Sequence, residues 1–190
     1  MKKIFCSLAI AVLFSAAATT ASAQAMLTPG TVLVGGMAMY PNKNIVANAV
    51  NSKDHTTLVA AVKAAGLVET LSGKGPFTVF APVNDAFENL PAGTVETLLK
   101  PENKATLTKI LTYHVVAGNM TADKIVSAIK AGKGKATLKT VSGGTLVAQM
   151  NGAKNVVLTD ESGNTASITT YDVMQSNGVI HVIDKVMLPK

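Results

Sequence analysis

The stretch from Gly75 to Leu90, GPFTVFAPVNDAFENL, constrains the fold more than any other part of this chain. Phe77, Thr78, Val79 and Phe80 are aromatic or β-branched and form a short run bounded by Gly75-Pro76 and Pro82, the signature of a mostly buried strand. Pro82 lacks the amide hydrogen that a ladder needs and biases Ala81 toward an extended conformation, so the strand is expected to end there. Asn84 then has the chemistry of a helix cap for the turn that follows. Asp85 and Glu88 suit the positive end of that helix, and Phe87 is expected to point back to the core.

Around this centre the periodicity divides the chain into two halves. Before and after it, apolar residues recur at helical spacing. Asn44 is expected to cap a helix carrying Ile45, Val46, Ala49 and Val50, and Asp54 one carrying Leu58, Val59, Val62 and Ala65 that stops at Gly66. Leu107, Ile110, Leu111 and His114 fall on one helical face, and Thr121 is expected to cap a helix carrying Ile125, Val126 and Ile129. From Ala136 the period changes to two. Runs at Ala136–Val141, Thr145–Gln149, Val156–Thr159, Thr165–Thr170 and Val179–Val186 alternate with Ser142-Gly143-Gly144, Asn151-Gly152 and Ser162-Gly163-Asn164, which predicts an antiparallel meander. The fold class is therefore α+β.

The run Thr78, Val79, Phe80, Ala81, Pro82, Val83, Asn84, Asp85, Ala86, Phe87 resembles the first signature of the fasciclin-like (FAS1) domain, T-V-F-A-P-T-N/D-x-A-F, departing only at Val83. Tyr113-His114 resembles the central tyrosine-histidine pair of that family. Asn177-Gly178-Val179-Ile180-His181-Val182-Ile183-Asp184, with Leu188-Pro189, resembles its second signature. The resemblance implies a small antiparallel β-sandwich or wedge flanked by a layer of helices. It implies one FAS1 domain over residues 44–190, with Thr78, Phe80, Pro82, Asn84, Phe87, Asn177, Gly178, His181 and Asp184 as its structural motif. In animal members the tyrosine-histidine region and an Asp-Ile pair before the second signature are implicated in receptor binding. That makes Tyr113, His114, Asp172 and Val173 the candidate binding residues, Val173 standing where those members carry Ile.

At the N-terminus, Lys2-Lys3, an apolar run from Ile4 to Ala18 and Ala21-Ser22-Ala23 make an export signal over residues 1–23 with cleavage before Gln24. The run is too short to span a membrane comfortably, which takes about 20 apolar residues. Cys6, the single cysteine, lies within the signal and has no lipobox, so neither a disulfide nor a lipid anchor is expected. Residues 24–43, rich in Gly and Met, read as a linker that partly docks on the domain through Thr31–Val34. Lys2 and Lys3 account for two of the 17 basic residues, which leaves 15 against 11 acidic ones, a balance of +4. With no arginine and no aromatic residues among the lysines, nucleic acid is not an expected partner. Lys130, Lys133, Lys135 and Lys139 cluster around two glycines and read as a solvated loop.

Little in the sequence points to chemistry. None of His55, His114 and His181 has a second histidine at chelating spacing, so no metal or cofactor is expected. Convergence of His114, His181, Asp172 and Asp184 in space is the alternative to buried rings paired within the fold, and the apolar neighbours favour the latter. Tyr113 reads as a core residue and Asp172 as a residue that orders the turn into Asn177-Gly178. A nucleophile elbow, a dinucleotide fingerprint and a phosphate loop are all missing from the sequence. The expectation is a non-enzymatic adhesion or interaction module exported to the periplasm or outside the cell, a monomer or weak homodimer. Its partner would be a cell-surface or matrix protein or polysaccharide. The alternative is a carrier of an apolar small molecule such as a carotenoid, which some FAS1 proteins bind between helices and sheet, with Met37 to Met39 lining the groove.

Overall fold

The computed structural model describes residues 29–190. The expected export signal, its cleavage point and Cys6 lie outside the described residues. A short hairpin of β1 (Val32–Val34) and β2 (Met37–Met39) comes first, followed by α1 (Ile45–Ala49), a 3-10 turn, α2 (Thr56–Ala65) and α3 (Val68–Ser72). β3 (Phe77–Pro82) then leads into α4 (Asn84–Glu88), α5 (Thr94–Leu98) and α6 (Lys104–Tyr113). β4 (Val115–Ala117) and α7 (Ala122–Ala131) precede a run of strands, β5 (Lys135–Lys139), β6 (Thr145–Asn151), β7 (Asn155–Thr159), β8 (Thr165–Gln175) and β9 (Gly178–Ile183). Among the described residues no helix is long and apolar enough to cross a membrane.

The larger sheet has seven strands in the order β4-β3-β9-β8-β7-β6-β5. From β5 to β9 it is the antiparallel meander that the turn residues predict. β9 then lies parallel to β3, in register from Phe77 opposite Gly178 to Pro82 opposite Ile183. The two end strands nearly meet. Val116 bridges Thr140, and the Val141 amide donates to the Val115 carbonyl at 2.8 Å, so the α+β fold has its sheet curled almost into a barrel.

Side-chain alternation on β3 and β9 divides the interior in two. Val79, Ala81, Ile180 and Val182 face one core with α1, α2, α3, α6 and the β1–β2 hairpin, whose Val34 and Met39 are buried there. Phe80 and Ile183 face a second core, with Leu138, Leu146 and Leu158 of the meander and Ile125 and Ile129 of α7. A strand buried on both faces must be apolar on both, which is why β3 and β9 read as near-continuous apolar runs. β8 extends past the expected Thr170 to Gln175 through bulges that shift its register between Thr170 and Val173. β9 ends at Ile183, three residues before the expected Val186.

The helix caps depart most from local expectation. Asn44 caps α1 as expected, its Oδ1 accepting from the Ala47 amide at 2.7 Å, and α2 ends at Gly66, whose φ of 74° is easy only without a Cβ. Asp54 does not cap α2. Asn84 does, across 27 residues: its Oδ1 accepts from the Thr57 amide at 3.1 Å and the Thr56 hydroxyl at 3.2 Å, and its Nδ2 donates to the Lys53 carbonyl at 2.8 Å. Asn84 therefore leaves its own helix uncapped and ties α4 to α2. Thr121 occupies the N-cap position of α7 but makes no capping bond through its side chain. Phe87 is half-buried against the helical core.

Candidate functional site

Tyr113 is the last residue of α6, and its side chain is fully buried. Its hydroxyl donates to the Thr145 carbonyl at 2.6 Å and accepts from the Glu161 amide at 3.2 Å, joining α6 to the start of β6 and to the β7–β8 loop. Burial pushes its pKa up to about 12. His114 follows, its ring edge-on to Tyr113 with centroids 6.5 Å apart. Nδ1 lies 2.8 Å from the Ile110 carbonyl, and Nε2 accepts from the Met187 amide at 3.0 Å. Burial lowers the His114 pKa to about 4, against smaller opposing effects of the Ile110 backbone and Asp160. The ring is neutral and both nitrogens are used.

Asp172 sits in the bulged part of β8 at φ 52°, a left-handed conformation that Asp tolerates better than most residues. The expectation that it orders the turn into Asn177-Gly178 is not met. Its Oδ1 accepts from the Ala122 amide at 2.8 Å, so it supplies the cap for α7 that Thr121 does not. The bulge aims the carboxylate at the helix, and a period-two reading of β8 contains no sign of it. Val173, one residue on, is buried in the helical core.

His181 lies on β9, stacked on Phe80 with centroids 5.7 Å apart and edge-on to Tyr171 at 6.0 Å. Nε2 is 2.8 Å from the Met120 carbonyl, and Nδ1 accepts from the Asp172 amide at 3.4 Å. Burial lowers its pKa, with the Met120 backbone and the Asp172 charge opposing. Asp172 and His181 thus meet, whereas Asp184 turns to the Ser167 amide at 2.7 Å. Among the described residues no group of three or more His, Cys, Asp or Glu is placed to hold a metal ion.

Several polar residues that the sequence does not single out do comparable work. Asn48 is fully buried, exchanging hydrogen bonds with the Tyr40 backbone and donating to Gln175. Asp160 gathers the Ser162 and Asn164 amides at 2.9 and 2.8 Å and the Leu188 amide at 3.1 Å. The Asp160 pattern, an Asp before Ser-Gly-Asn, is an Asx-turn signal that sequence reading can find. Asn48, on an amphipathic helix, has none.

Against this geometry, a family model for the fasciclin domain matches residues 53–189. The chain belongs to the fasciclin family. Its relatives include protein sll1483 of Synechocystis sp., 48% identical over 90% of this chain and 87% of that protein. Immunogenic protein MPB70 of Mycobacterium bovis is 34% identical, over 84% of this chain and 75% of its own length. Cell surface glycolipoprotein MPB83 of Mycobacterium bovis is also 34% identical, over 88% of this chain and 68% of its own. Among solved structures, a FAS1 domain pair from the insect cell adhesion molecule fasciclin I superposes with a TM-score of 0.68 at 18% identity. The match covers 78% of this fasciclin chain but 51% of that one, about half of the pair.

Proposed function

We propose that the chain is an exported, non-enzymatic adhesion or interaction module of the cell envelope or extracellular space, binding a surface or matrix protein or polysaccharide. One observation carries this reading. The polar atoms of the family-motif residues are spent on backbone groups: Tyr113 on Thr145 and Glu161, His114 on Ile110 of the helix before it and on distant Met187, Asn177 on Ile45, Leu71 and Gly73. A general base or nucleophile needs an accessible lone pair, and these rings have none to offer. On this reading Tyr113, His114, Asp172 and Val173 act on a partner through the loops they hold in place. The fasciclin domain and relatives such as the cell surface glycolipoprotein support an extracellular setting.

The test is a titration of labelled protein, residues 24–190, onto native envelope particles. Saturable retention that unlabelled protein competes away is the expected result. Linear uptake equal to that of an unrelated protein of similar charge overturns the reading. Mass spectrometry of the protein from its native source is expected to place the N-terminus at Gln24.

A second reading, the apolar carrier, is favoured by one feature. A partly open apolar pocket of about 50 Å³ lies between α1, α2 and the sheet, lined by residues such as Met39, Leu58, Val62 and Val173. His55 borders it, and its Nε2 makes no well-formed hydrogen bond among the described residues. Pockets for drug-sized ligands occupy about 300 to 1,000 Å³, so a pigment requires the hairpin and helices to part. Met37 is 38% exposed and does not line the pocket, whereas Met39 does. A visible absorption band in protein purified from its native source tests for the carrier.

A further inference from the structure

At the Phe77 end of β3, away from the tyrosine-histidine pair that lies toward its Pro82 end, three backbone segments wall a groove of about 590 Å³. One is the loop from Ser72 to Pro76, the second is the β8–β9 turn at Ser176 and Asn177, and the third is Asn119, between β4 and α7. Each wall is fixed from behind. The Thr78 hydroxyl donates to the Gly118 carbonyl at 2.7 Å and accepts from the Met120 amide at 2.9 Å, gripping the chain on both sides of Asn119. The Gly118 amide donates to the Pro76 carbonyl at 2.9 Å, and the Ser176 amide to the Lys43 carbonyl at 2.9 Å. Asn177 Nδ2 holds the Leu71 and Gly73 carbonyls at 2.8 and 2.9 Å. At Gly75 the backbone runs so close to this turn that a Cβ would fall 1.9 Å from the Asn177 carbonyl oxygen. That glycine is therefore fixed by close approach.

Asn119 is exceptional in this well-paired frame. Its side-chain Oδ1 is buried and has no donor among the described residues. Buried acceptors are almost always satisfied, and one left open on the wall of a polar groove points to a donor brought from outside. The other side chains free to face the groove are the Ser72 and Ser176 hydroxyls and the Lys74 ammonium. The lining has no carboxylate, no aromatic ring and no large aliphatic side chain. An apolar ligand would leave Asn119 Oδ1 unpaired. An anion would meet that oxygen's negative end.

We propose that this groove binds a neutral sugar unit of a polysaccharide, whose hydroxyls donate to Asn119 Oδ1 and accept from Ser72, Ser176 and Lys74. Hydroxyls, being donors and acceptors at once, match a wall of mixed polarity, and they replace groove water with equivalent bonds. Without an aromatic platform each unit binds weakly, and useful retention comes from many copies engaging one polymer. The proposal rests on the adhesion reading and narrows its partner to a glycan.

The experiment is a titration of the folded protein, followed by amide NMR, with maltotetraose, cellotetraose and chitotetraose, and with an alginate tetramer as the anionic control. Saturable shifts confined to Ser72–Pro76, Asn119 and Ser176–Gly178, with a millimolar Kd for a neutral tetramer, are expected. Asn119→Leu is expected to weaken binding at least tenfold. Because Oδ1 holds no bond among the described residues, Asn119→Leu is expected to melt with the wild type, so a loss of binding is read on a folded protein. No saturable shift with any neutral tetramer overturns the proposal, as does binding of the alginate alone or full binding by Asn119→Leu. If the envelope titration still saturates with Asn119→Leu, the glycan site fails while the adhesion reading stands.

Discussion

The histidines set how this protein responds to acid. His114 donates from Nδ1 to the Ile110 carbonyl and accepts at Nε2 from the Met187 amide, so its partners assign one neutral tautomer. An unfolded histidine titrates near 6.5, whereas in the folded state burial lowers His114 to about 4. Above pH 6.5 both states are neutral and the contribution of His114 to stability is complete. As pH falls from 6.5 toward 4 the unfolded chain takes up a proton that the native state refuses, and stability is lost by about 3 kcal/mol across that window. His55 and His181, also lowered mainly by burial, act in the same direction. Urea midpoints measured from pH 7.5 to 4 are expected to fall steeply in the wild type. His114→Gln is expected to start lower at pH 7.5 and fall less; equal slopes for the two proteins refute the assignment. Burial of these rings was legible in the sequence, since Leu111, Val115, Ile180 and Val182 flank them. Their hydrogen-bond partners were not, because Met187 lies far along the chain from His114.

At the scale of elements, the caps carry the main lesson about what a sequence discloses. A local rule assigns a cap to the nearest Asn, Asp or Thr, and it succeeds at Asn44. It fails where a cap comes from elsewhere in space, as Asn84 does for α2 and Asp172 for α7 across 50 residues. Such caps fix the packing of two elements as well as the start of one. Asn84→Ala is expected to cost about 1–2 kcal/mol, at the upper end for a cap because three hydrogen bonds go together. Hydrogen exchange is expected to speed up at Thr57 and the first turn of α2, with α4 little changed. The reverse pattern means Asn84 serves its own helix. For Asp172 the comparison is between Ala and Asn. Asp172→Ala removes the cap and places an ordinary Cβ residue at φ 52°, for about 1–2 kcal/mol in all. Asp172→Asn keeps an acceptor and tolerates that backbone, so a few tenths of a kcal/mol are expected. Equal losses in chemical denaturation contradict the capping role.

The molecule as a whole is two main cores on one shared wall, with a smaller cluster of Ala86, Ile110 and Val186 beside them. β3 and β9 send alternate side chains to the helical core and to the barrel core, so neither core keeps its boundary if the other opens. The meander was readable from its turns. The parallel pairing of β3 with β9, which joins the meander to β3 and β4 and creates the wall, was not, since no local pattern reports a partner strand a hundred residues away. The shared wall has a thermodynamic consequence. Leu58→Ala in α2 and Leu146→Ala in β6 lie in different cores, and each is expected to cost about 2–5 kcal/mol. Two independent subdomains would respond separately, one transition moving and the other staying. A single cooperative unit instead has one transition that either substitution shifts, with an unchanged denaturant slope. The chain contains no tryptophan, and two of its three tyrosines, Tyr113 and Tyr171, pack in the barrel core, so tyrosine fluorescence is weighted toward the barrel and far-UV circular dichroism toward the helices. The two signals are expected to coincide through one urea transition in the wild type and in both variants. If Leu58→Ala moves the dichroism midpoint and leaves the fluorescence midpoint in place, β3 and β9 do not couple the cores.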